Sequence, residues 1–100
     1  MFYNVKQNDA MRIRELLWGE HTEDHLARHG VTIQEVEEVC YSRFLMIRSG
    51  RKRKAVLGQS EAGRYLIVIL DEADYGEFHV VTARDMNQSE RRRCQFWKGV

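Results

Sequence analysis

The stretch RYLIVIL, residues 64–70, decides the fold: six aromatic or aliphatic residues follow one arginine without a polar interruption. A strand with one face in water alternates apolar and polar residues, whereas a strand covered on both faces reads as a continuous apolar run. The segment is therefore expected to be a central strand. Short apolar runs flank it: FLMIRS (44–49), AVLGQS (55–60) and EFHVVTA (77–83). The segments SGRK, EAG and DEADYG between them carry turn chemistry, so the four runs form an antiparallel meander.

Before the meander, RIRELLW (12–18) alternates enough to add a strand, giving four to five in all. Residues 20–29 read as a short helix stopped by Gly30, the residue that takes the left-handed conformation at least cost. Thr32 opens a second helix, with Glu35 at capping-box spacing and Ile33, Val36, Val39 and Cys40 on one stripe. After the meander, Asn87 and Glu90 repeat the capping-box spacing and open a helix to about Trp97. With no proline, repeat or linker, residues 1–100 are expected to form a single α+β domain. It would have a small antiparallel sheet, two N-terminal helices and one C-terminal helix, packed on one face.

The net charge of +1 hides an asymmetry: residues 1–42 hold four Lys/Arg against eight Asp/Glu, and residues 43–100 twelve against seven. Arg43 to Lys54 contains six bases and no acid, and Arg91, Arg92 and Arg93 are consecutive. Each run reads as a solvated surface or as a patch for an anionic partner. Cys40 and Cys94 are too few for a disulfide framework and read as small buried hydrophobes. No apolar run approaches the ~20 residues that span a bilayer, and the first residues lack a signal peptide's apolar core, so a cytoplasmic location is expected.

HTEDHLARHG, residues 21–30, spaces His21, His25 and His29 four apart. On a helix such residues step round by ~40° and share a face. The zinc-protease pattern H-E-x-x-H fails, because Thr22 stands where the glutamate must be, and Glu23 points away. A structural zinc site would want paired cysteines. No metal and no other cofactor is expected. Two readings remain: a polar face whose last histidine favours the helix dipole, or an acid/base face with Arg28 beside it as an anion contact.

Three ordered segments, LLWGEHTEDHLARHGVTIQEVEEV, VLGQSEAGRYLIVIL and VVTARDMNQSERRR, resemble the BrnT-type toxins of bacterial toxin–antitoxin pairs over about residues 13–97. The resemblance implies a RelE-like fold and a ribonuclease. It also implies a cognate antitoxin, carrying a ribbon-helix-helix DNA-binding part, and a possible dimer within the complex.

Metal-independent RNA cleavage, in which the ribose 2′-OH attacks the adjacent phosphate, needs a base, an acid and cations. His25 and His29 are the acid/base candidates. Arg64 and Arg84 are expected to stabilise phosphate, with Arg28 as a further cation. Trp18 would stack an RNA base or pack structurally, and Arg91, Arg92 and Arg93 would bind RNA backbone or acidic antitoxin residues. His79, mid-strand, reads as packed or surface-exposed. Gly19, His21 and Thr22 depart from the related pattern, which usually has aspartate after the tryptophan and asparagine or lysine in the next helix. The alternative is a catalytically weakened toxin-fold module that binds an antitoxin or RNA without cutting.

Overall fold

The computed structural model describes residues 12–97. Chain order is β1 (Glu15–Leu17), α1 (Thr22–Ala27), α2 (Ile33–Cys40), β2 (Phe44–Arg48), β3 (Arg53–Gln59), β4 (Tyr65–Asp74), β5 (Glu77–Asp85) and α3 (Gln88–Trp97). One five-stranded sheet has the order β1-β5-β4-β3-β2. RYLIVIL is central as expected, with β4 antiparallel to both β3 and β5. The sheet as a whole is mixed, not antiparallel, because β1 pairs parallel to β5, with Leu16 opposite Phe78. Running with β5 points the chain towards the end of the sheet where Arg64 and Asp85 lie, and the turn after α1 is fastened there.

Strand alternation sends β4 into two cores. Leu66, Val68 and Leu70 join Val56, Val80, Ala83 and the helix residues Leu26, Val36, Val39 and Cys40. Ile67 joins Ala55, Leu57 and Cys94 on the other face. The helices therefore do not share one face: α1 and α2 cover the first and α3 the second. The reason is the run that identified β4, since a strand apolar on both faces needs cover on both. Burying each leucine of this kind contributes about 1.5–3 kcal/mol. Close packing also explains one glycine. A Cβ on Gly58 would stand 3.2 Å from Val39 Cγ1 and 3.4 Å from the Arg43 carbonyl, so α2 lies almost on the β3 backbone.

The regular part of α1 is shorter than the ten residues expected, and a tight turn follows it. Val31 N–H donates to Leu26 O (3.1 Å), and Gly30 N–H donates to Ala27 O (2.9 Å). This 6→1 and 5→2 pair is a Schellman ending, with Gly30 at φ +69 and Val31 buried beside Leu26. Both capping boxes form. Thr32 Oγ1 accepts from Glu35 N–H at 3.1 Å, while Thr32 N–H donates to Glu35 Oε1 at 3.0 Å. Asn87 Oδ1 accepts from Glu90 N–H at 2.8 Å, and Asn87 N–H donates to Glu90 Oε1 at 2.9 Å.

Candidate functional site

His25, Arg28 and His29 are all exposed at the C-terminal end of α1. Leu26 and Val31 anchor this end into the first core, and the Schellman bonds hold its backbone. The polar side chains thus stand in solvent on a fixed turn. His21 is also exposed, at the opposite end of α1 and with no capping hydrogen bond.

Beneath the turn lies Arg64. Its Nε donates to Asp85 Oδ1 (2.8 Å) and its Nη2 to Asp85 Oδ2 (3.2 Å). Nη1 donates to the Gly30 carbonyl (2.7 Å) and to Glu35 Oε1 (3.1 Å), and Nη2 also lies 3.5 Å from the His29 carbonyl. A guanidinium has five N–H donors, and each faces an acceptor here. Hydrogen bonding to Arg64 holds the Asp85 carboxyl below the ordinary carboxylate range. One cation against two carboxylates leaves this cluster acidic. Its evident work is to fasten β4, β5, the α1–α2 turn and the start of α2 together.

Arg84 is on the other side of the sheet. It pairs in register with Ile67, whose side chain belongs to the second core, whereas Asp85 pairs with Leu66 of the first. Arg84 makes a two-pronged bond to Glu90, with both distances 2.9 Å, and donates to the Asp85 carbonyl at 3.0 Å. It draws the Glu90 carboxyl below its ordinary value and ties α3 to β5. Arg64 and Arg84 therefore lie on opposite faces of the sheet. Each holds the glutamate of a capping box.

Of the remaining expected residues, Trp18 is half-buried against the first core. His79 is exposed on β5. Arg91 stacks over the Tyr65 ring at 4.3 Å, and Tyr65 Oη accepts from Gln95 Nε2 at 3.0 Å. Arg92 and Arg93 are exposed. Among the described residues, no group of three His, Cys, Asp or Glu side chains is placed to hold a metal ion. No helix among them is long and apolar enough to cross a membrane. Cys40 and Cys94 are both buried, and burial pushes the Cys40 thiol up to about 12.

Glu35 and Asp85, the carboxylates that occupy Arg64, were not among the expected site residues. The capping-box spacing flagged Glu35 as a helix cap only. Asp85 carried no signal beyond following Arg84 at a strand end.

This fold, a five-stranded mixed sheet with two helices on one face and one on the other, is shared with a solved structure. The crystal structure of the ribonuclease toxin BrnT of Brucella abortus matches with a TM-score of 0.61. The match covers 74% of this chain and 97% of that one, at 17% sequence identity, so the likeness is one of fold. No family model matches the chain, and no curated protein matches it significantly by sequence.

Proposed function

We propose that this chain is a ribonuclease toxin of a toxin–antitoxin pair, cutting RNA without a metal by 2′-OH attack and held in check by a cognate antitoxin. The observation that carries this reading is an exposed His-Arg-His cluster on a rigid helix end, in a fold shared with a ribonuclease toxin. One of His25 and His29 would take the 2′-OH proton and the other would protonate the leaving 5′ oxygen, releasing a cyclic phosphate. Arg28, which has no ion-pair partner among the described residues, would face the phosphoryl oxygens. Arg64 becomes a positioning residue that holds the His29–Gly30 turn, and Arg84 one that holds α3.

A second reading, a toxin-fold module that binds without cutting, is favoured by one observation: carboxylates already occupy both strand-end arginines. Purified protein incubated with RNA in EDTA separates the two. Cutting by the wild type, reduced at least ~100-fold in His25→Ala and His29→Ala, supports the enzyme. Intact RNA with wild-type protein refutes it, and equal cutting by both variants refutes the histidine assignment. Induction in bacteria separates the two readings as well: the enzyme predicts growth arrest relieved by the neighbouring antitoxin, here a ribbon-helix-helix protein.

A further inference from the structure

On the first face of the fold, a cleft of about 610 Å³ runs between residues 12–14 and the chain from the end of α2 into β2. Arg12, Arg14 and Arg43 line it, with Tyr41 and Phe44 between them and Ile13 and Cys40 in its floor. None of the three arginines has a carboxylate within 4 Å among the described residues. This sets them apart from Arg53, Arg64 and Arg84, which are all in ion pairs.

The cleft is held in shape. Arg14 N–H donates to the Gly76 carbonyl (2.7 Å) and its Nη1 to the Tyr75 carbonyl (3.3 Å), which fixes one wall to the β4–β5 hairpin. In the other wall, Tyr41 stands close to the Leu16 backbone of β1. Tyr41 is 53% exposed. Glu15 and Glu37 also stand near Tyr41, and Glu38 and Glu61 line a neighbouring pocket with it, so the positive charge of the cleft lies at its three arginines and not around the ring. Arg43 continues the cleft towards α3, its guanidinium 5.1 Å from the centre of the Trp97 ring, next to Phe96 at 85% exposure.

We propose that this cleft binds single-stranded RNA, with phosphates along Arg12, Arg14 and Arg43 and a base stacked on Tyr41. Arginines without carboxylate partners beside an exposed aromatic ring are what a flexible polyanion with π faces requires. An acidic peptide would use the arginines and leave the rings without a matching face. The track rests on the ribonuclease reading and extends it, since it gives the strand a path outside the histidine end. The expected ligand is unpaired RNA, because a base must leave its stack to reach Tyr41.

The test is fluorescence anisotropy of the full chain with a labelled, 2′-O-methylated oligoribonucleotide of about ten residues, which cannot be cut by 2′-OH attack. Arg12→Glu with Arg43→Glu is expected to weaken binding at least ~10-fold. The salt slope should fall by about 0.7 for each phosphate no longer neutralised. Tyr41→Ala is expected to weaken binding roughly 5- to 100-fold, the equivalent of one stacked base. Arg12→Glu alone, at an exposed position, repeats the test should the double variant fail to fold. Wild type that binds, with affinity and slope unchanged in these variants, overturns the proposal. So does preferential displacement of the RNA by polyglutamate. If such a wild type still cuts RNA, the ribonuclease reading survives while the cleft assignment falls. If it neither binds nor cuts, both fall.

Discussion

Arg64→Ala tests most directly whether the strand-end arginine is a clamp or a phosphate group. Its loss removes a two-pronged pair with Asp85, a bond to the Gly30 carbonyl and the partner of half-buried Glu35. The Asp85 pair contributes up to about 1 kcal/mol, because that carboxylate is 63% exposed and screened. The charged bond to Gly30 adds about 1 kcal/mol, and leaving Glu35 without its cation costs about 1 kcal/mol more. The expected loss is about 2–3 kcal/mol at pH 7, lowering Tm by about 10–20 °C in a domain of this size. Circular dichroism melts measure it. The pH dependence has a definite sign. Folding depresses the Asp85 carboxyl below 3.8, so its contribution is present above that value and is lost as the pH falls through the lower folded one. The gap between wild type and variant should therefore narrow in acid. A variant that melts within about 2 °C of wild type at pH 7 refutes the clamp. If it also cuts RNA ~100-fold more slowly, Arg64 faces phosphate after all.

Two further outcomes test the packing. Gly58→Val should destabilise by about 1–3 kcal/mol or more in urea titration, because its Cβ alone would press on Val39 and the Arg43 carbonyl. An unchanged midpoint would mean that α2 does not lie where described. Both thiols should resist a thiol-titrating disulfide reagent in native protein at pH 8 and react together in guanidinium, since both are buried and burial raises the Cys40 thiol to about 12. Rapid native labelling of Cys40 would show that this core opens readily.

Local chemistry was legible from the residues alone. The continuous run in RYLIVIL identified the central strand, because pleating puts successive side chains on opposite faces. Thr32–Glu35 and Asn87–Glu90 marked the starts of α2 and α3, because a capping box is complete within four residues. Gly30 marked the end of α1 for the same reason: a positive φ is a property of one residue and its neighbours.

Long-range geometry was decided by the tertiary structure. The direction of the three-residue β1 depends on a partner 62 positions away, with Glu15 opposite Glu77, and no local pattern encodes it. The side taken by α3 depends on which core remained uncovered. The arginines show this most plainly. In sequence, Arg64 and Arg84 were two strand-end cations suited to a phosphate. The fold puts them on opposite faces of the sheet and pairs Arg64 with Glu35 and Asp85, and Arg84 with Glu90. Charge is written in the sequence, but whether a cation is free to meet a ligand depends on its neighbours in space. That leaves His25, Arg28 and His29 exposed at one end of α1, and Arg12, Arg14 and Arg43 around a cleft that residue types alone did not reveal.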